Sequence, residues 1–162
     1  KMPPATTMKW ALCFTKATKA ISIGCLGVMY SVIGVRHFTD PDYFMTIMPP
    51  KLPFARLLVF FTGGWEIVNG VLLLIHKTRK LAALSTTILL IAVFPANIYL
   101  VLSEVPQQAL DITQAQAIQR IPFQFTLFFL AIWHARPDNK FVVSVCASII
   151  FYPTIGYFLS LL

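Results

Sequence analysis

The sequence predicts an all-α membrane protein: a four-helix transmembrane bundle followed by a fifth, C-terminal transmembrane helix. Three observations predict it. Hydrophobic residues make up 57% of the 162 residues and charged residues only 12%, with a mean hydropathy of +0.75. A soluble domain carries about a quarter charged residues. The apolar residues gather in runs long enough for a helix to cross a bilayer, about 20 residues each. The basic residues stand at the ends of those runs, where they read as topology signals and lipid head-group contacts. The net charge of +7 therefore does not point to nucleic acid, and no stripe of Lys or Arg with interleaved aromatics suggests one. At this length the chain is one bundle. Its expected divisions are a basic tail over 1–18, the four-helix bundle over 19–136 and the additional helix over 137–162.

The tail, KMPPATTMKWALCFTKATK through Lys19, holds four Lys, four Thr and no acid. It resembles the end of an organelle-targeting region, and the chain is expected to be a processed precursor. The first span runs from Lys19 to Phe38. Gly24, Gly27, Ser31, Gly34 and His37 recur at three and four along it and share one face. Small residues there allow a second helix to approach closely in lipid, and His37 ends the stripe, pointing into the bundle. The stretch TDPDYFMTIMPPKLP (39–53) predicts a short interfacial segment and a proline-shaped connector. Its Tyr43, Phe44, Ile47 and Met48 are apolar for an exposed loop.

The second span, Phe54 to Ile75, carries one carboxylate, Glu66, about 18 Å from its start at 1.5 Å per residue. A charge at such depth costs roughly 3 kcal/mol or more, so Glu66 needs a partner, a proton or a role. Gly63, Glu66 and Gly70 share a face with Asn69 beside it. Basic residues from His76 to Lys80 suit the helix C-terminus. The third span, Leu81 to Leu102, contains Pro95, where a kink is expected, and Asn97. A polar loop, Ser103 to Gln119, leads to the fourth span. Its strictly apolar part, Ile121 to Ala135, has 15 residues and must extend back to about Ala115 to cross. Arg120 and Gln124 share its face. The fifth span, Phe141 to Leu162, has no charge.

With five spans, nine basic residues fall on the side of the N-terminus and four on the other. This puts the N-terminus on the matrix, stromal or cytoplasmic side. His37, Glu66, Asn69, Asn97, Arg120 and Gln124 form the candidate polar cluster, displaced toward the opposite side. Two readings are open. Glu66 is protonated or paired with Arg120 as structural glue, with Asn97 and Gln124 bonding between helices. Or a pocket opens to the far side or to lipid, where Glu66 and His37 handle protons or hold a polar head group, Arg120 tunes the carboxylate, and a quinone-like ligand fits. Lipid or pigment ligands stay open as well. His76 and His134 are expected at the interface. No Cys/His cluster has metal-site spacing, so no metal centre is expected, and Cys25 and Cys146 read as packing residues.

The patterns GVRHF (34–38), DPDYF (40–44), MPP (48–50), GGWEIVNG (63–70), TRKLAA (78–83), FPANIY (94–99) and R-x-P-x-Q (120–124) together resemble the DoxX family, over about two thirds of the chain. The resemblance implies a four-helix membrane bundle with His37, Glu66, Asn97, Arg120 and Gln124 as polar positions. DoxX-like proteins include subunits linked to quinone-dependent sulfur oxidation and bacterial oxidoreductase assemblies, and relatives that assist membrane-protein assembly. The basic tail and the fifth span depart from that pattern. The expected function is an accessory or assembly subunit of a larger energy-transducing complex (electron-transport or photosynthetic) in an organelle inner or thylakoid membrane. Its partners would be the bilayer and other subunits. The alternatives are the membrane half of a quinone-linked oxidoreductase and an assembly chaperone. Whether it is an enzyme stays open.

Overall fold

The computed structural model describes residues 5–136 and 140–159. It is helical throughout, with no strand among the described residues: α1 Ala5–Thr39, α2 Pro41–Thr46, α3 Ala55–Leu74, α4 Arg79–Leu102, α5 Glu104–Ala109, α6 Gln114–Ala135 and α7 Phe141–Leu159. The first four residues of the predicted tail, residues 137–139 and the predicted end of the fifth span at Leu162 lie outside the described residues.

Among the described residues, four helices are long and apolar enough to cross a membrane: α1 over Trp10–Thr39, α3, α4, and α7 over Phe141–Phe158. The second and third spans match the apolar runs to within two residues at each end, because those runs are bounded by Pro53 and by the basic turn at 76–80. α1 differs. It begins at Ala5, well before Lys19, so the expected tail is largely a continuous extension of the first helix. α6 is long enough, at 22 residues, but it is not among the four. Its first three turns carry Gln114, Gln116, Gln119, Arg120 and Gln124, which dilute the apolar run.

The five long helices form a closed ring. α1 packs on α3, α3 on α4, α4 on α6, α6 on α7, and α7 back on α1. The closest crossing is α1 with α3. A Cβ on Gly34 would stand 2.6 Å from the Gly63 carbonyl oxygen, and one on Gly27 3.0 Å from the Gly70 oxygen. The glycines on each helix are seven apart, two turns, so both pairs meet on one line of contact. Gly24, on the same predicted stripe, has no atom within 4 Å of a built Cβ and takes no part.

Helix ends are tied by side chains, as they must be where backbone groups leave water. Arg79 Nε donates to the Leu73 carbonyl (3.1 Å) and Thr78 Oγ1 to that of Leu72 (2.9 Å), closing the end of α3. Gln107 Nε2 donates to the Leu100 carbonyl (2.8 Å) at the end of α4. Thr113 and Gln116 form a reciprocal capping box that starts α6. α4 runs through Pro95 as one helix. The core centres on Tyr30, Leu73, Leu90, Leu130, Trp133 and Phe151. Large apolar side chains such as Val28, Leu57, Phe61, Val68, Ile88 and Ile149 point outward, as a surface facing lipid requires. Cys25 packs against the core, whereas Cys146 is exposed on that outer surface and is not the packing residue expected.

Candidate functional site

A cavity of about 320 Å³ opens between α1, α2, α3 and α4. α1 brings His37 to it because the stripe of small residues presses that face onto α3. His37 and Gly63 are in direct contact: a Cβ on Gly63 would collide with His37 Cβ. α3 brings Thr62, Trp65 and Glu66, α4 brings Asn97, and α2 with its connector brings Phe44, Ile47 and Met48. The walls are otherwise apolar, and no Lys or Arg is among the described lining residues.

The polar heart of the cavity is a pair. His37 Nε2 lies 3.3 Å from Glu66 Oε2, with both side chains about nine-tenths buried. His37 Nδ1 lies 2.8 Å from the Val59 carbonyl oxygen. That oxygen only accepts, so Nδ1 carries a hydrogen and donates it. Nε2 is then the position left for the carboxyl group, and one proton serves both atoms. On the carboxyl it makes a neutral acid beside a neutral ring; on Nε2 it makes an imidazolium beside a carboxylate. The alignment across the 3.3 Å gap falls short of a hydrogen bond, and Oε2 has no hydrogen-bond partner among the described residues. A buried polar atom left so costs about 1–3 kcal/mol; Glu66 itself is among the residues that line the cavity.

His37 is held on its other face by Phe44 of α2, stacked at 3.6 Å between ring centroids. Tyr43, edge-on to Phe44, accepts a hydrogen bond from Arg120 Nη2 (3.1 Å). Arg120 also bonds the Tyr157 hydroxyl on α7. No hydrogen bond or ion pair joins Arg120 to Glu66 among the described residues, which corrects the expected pairing. The guanidinium instead fastens α2 to α6 and α7. Only the position of α2 in space decides this, and nothing in the linear sequence states it.

The remaining predicted residues divide. Asn97 lines the cavity, but its Nδ2 donates to Gln124 Oε1 (2.6 Å), and Gln124 Nε2 donates to the Leu90 carbonyl (2.7 Å). Asn97 therefore has one amide hydrogen committed to Gln124, and Gln124 ties α6 to α4 outside the cavity. Asn69 is also outside. Its amide, turned to suit its neighbours, donates to Ser85 Oγ (2.9 Å) and accepts from the Thr86 N–H (3.3 Å), joining α3 to α4. Trp65 Nε1 donates to the same Ser85 hydroxyl (2.7 Å). So the structure brings His37, Glu66 and Asn97 together, and assigns Asn69, Arg120 and Gln124 to helix–helix contacts.

Sequence reasoning missed Phe44, Thr62, Trp65 and Tyr30. The apolar character of Tyr43 and Phe44 in a loop was the available signal for α2. Tyr30 Oη is buried without a hydrogen-bond partner among the described residues and lies within electrostatic reach of Glu66; nothing in the sequence distinguishes it from other core aromatics. His134, in the last turn of α6, is 4% exposed, with Nε2 3.0 Å from Ser22 Oγ of α1. His76 is exposed, in the turn after α3. No group of three His, Cys, Asp or Glu that could hold a metal occurs among the described residues.

The model of one family matches residues 26–135, and its description is a domain of unknown function, DUF8561. No curated protein and no solved structure matches the chain. The matched region contains the cavity and every residue of the His37–Glu66 site, and ends before α7.

Proposed function

For this chain, which belongs to the DUF8561 family, we propose a multi-pass membrane protein whose α1–α4 cavity binds an uncharged amphiphile with a carbonyl or hydroxyl head, of the quinone–quinol class. The observation that carries this reading is Glu66: it lines a cavity with apolar walls beside His37, and its Oε2 has no hydrogen-bond partner among the described residues. A carbonyl oxygen would receive the shared proton, and a hydroxyl would donate to the carboxylate or to Asn97. The lack of Lys or Arg in the lining disfavours a phosphate or carboxylate head. Five spans belong to this reading. α6 sits in the ring between α4 and α7, two helices apolar enough to cross, and that placement supports its crossing with them. The DoxX-like bundle, with the N-terminus on the basic, matrix or stromal side, is part of the same proposal and rests on the sequence motifs and the charge distribution.

The test is binding of a decyl-tailed benzoquinone to the full chain in nanodiscs, read by quenching of tryptophan fluorescence. Trp65→Phe identifies the share of the signal that comes from the cavity. Glu66→Gln and His37→Ala should each weaken binding at least fivefold. Unchanged affinity in both variants rejects the site.

We also propose that the protein works as a small accessory or assembly subunit within a larger energy-transducing membrane complex. The supporting observation is α7, which packs on α1 and α6 but lies beyond the family's matched region. Migration of the native species at the mass of the 18.2 kDa chain alone, in mild detergent, would count against it.

A further inference from the structure

The cavity is small for what an amphiphile brings. Its 320 Å³ lies at the low end of the range for ligand pockets, about 300–1,000 Å³, and accommodates a ring-sized head but not a long alkyl or isoprenoid tail. A tail needs a way out, and three of the cavity's sides are closed. α2 forms the roof: Phe44 is stacked on His37, and its neighbour Tyr43 is fastened by Arg120 to α6 and α7. The inner wall is the α1–α3 crossing, where Gly34 and Gly63 leave no space between the backbones. The floor is closed by Trp65 and Asn69, which bond Ser85 across α3 and α4.

The fourth side differs. Phe61 on α3 and Ala92 and Pro95 on α4 line the cavity and are also exposed on the outside of the bundle. Ala92 and Ala96 are one turn apart with small side chains, so α4 presents little bulk across the gap toward α3. The face around the gap is apolar: Leu57, Val68, Ile88 and Ile91 are exposed near it along the same two helices. A gap in such a face opens to lipid, not to water.

We propose that the cavity is loaded sideways from the bilayer through a portal between α3 and α4, bounded by Phe61, Ala92 and Pro95, so that the ligand's head reaches Glu66 and His37 while its tail stays among the lipid chains. This inference depends on the cavity being a ligand site, and it narrows the ligand to a membrane-dissolved molecule with one long apolar tail. Specificity is then divided: the buried pair selects an uncharged head, and the portal selects for a tail thin enough to pass between the helices.

The experiment compares two probes on the full chain in nanodiscs, a decyl-tailed benzoquinone and tailless duroquinone, by the Trp65-dependent fluorescence quench. Ala92→Phe places bulk in the portal on an exposed position without adding an indole to the fluorescence signal. It should weaken binding of the tailed probe at least tenfold, and at least fivefold more than that of duroquinone. Phe61→Ala widens the same gap and should raise the association rate of the tailed probe at least threefold. If wild type binds both probes but Ala92→Phe affects them equally or not at all, or Phe61→Ala leaves the association rate unchanged, the portal is overturned while the site stands. If wild type binds neither probe, the ligand reading and the portal fail together.

Discussion

Substituting Gly34 by Ala tests the physical basis of the whole site, because the α1–α3 crossing sets where His37 meets Glu66. The new Cβ would stand 2.6 Å from the Gly63 carbonyl oxygen and 2.8 Å from the Ile67 nitrogen. Both are backbone atoms and cannot rotate away. Ordinary contact requires the helices to part by roughly 0.8 Å or more at this point. Overpacking of this kind costs about 1–3 kcal/mol, while replacing Gly by Ala inside a helix returns up to about 1 kcal/mol. Gly24→Ala, on the same helix, receives only the second effect, since no atom lies within 4 Å of its Cβ. The two variants should therefore differ by about 1–3 kcal/mol, with Gly34→Ala the less stable. At roughly 2–4 °C per kcal/mol for a chain of this size, thermal unfolding in one detergent should separate them by roughly 2–12 °C. The quinone affinity of Gly34→Ala should fall with it, because His37 moves with α1. If Gly34→Ala melts at or above Gly24→Ala, the helices are not held at glycine contact and the account of the crossing is wrong.

Three further outcomes are expected. His37→Ala removes the neighbour of the Glu66 carboxyl and the hydrogen that Nδ1 donates to the Val59 carbonyl, and should cost about 1–3 kcal/mol. Glu66→Gln, whose amide can donate to Nε2, should cost less than about 1 kcal/mol; equal losses in the two unfolding curves would remove the shared-proton description. Arg120→Ala should free α2, seen as faster amide hydrogen exchange over 41–46 with α3 unchanged, and unchanged exchange there would mean α2 is held by Phe44 alone. Ser22→Ala strands the buried His134 Nε2 and should destabilise by about 1–3 kcal/mol, a loss that Ser22→Thr should largely restore when both are melted side by side.

What the sequence made legible follows from physics that acts locally. The boundaries of α3 and α4 could be read because apolar runs end at prolines and basic residues, and both signals are contiguous. The stripe from Gly27 to His37 could be read because helical periodicity alone puts those residues on one face. The continuation of α1 back to Ala5 could not, because Thr- and Lys-rich composition resembles a targeting tail as much as a helix. The partner of Arg120 could not either. Charge pairing within lipid favours Glu66, but the placement of α2 brings Tyr43 within reach, and α7 contributes Tyr157 from the far end of the chain. Asn69 and Glu66 lie three apart and look equivalent on a helical wheel. Their neighbours separate them: one meets Ser85 on α4, the other His37 on α1.

The ring of helices has a consequence for how the protein is made. α7 follows α1 to α6 in the chain, and it is the element that joins α6 to α1. Thr18, which meets the Tyr152 hydroxyl at 3.4 Å, and Thr126, which receives the Thr154 hydroxyl at 3.0 Å, obtain those partners only when α7 arrives. During synthesis the ring is thus a horseshoe with a polar seam facing lipid. The contact of Arg120 with Tyr157 forms at the same step, so the fastening of α2 over the cavity also waits for α7.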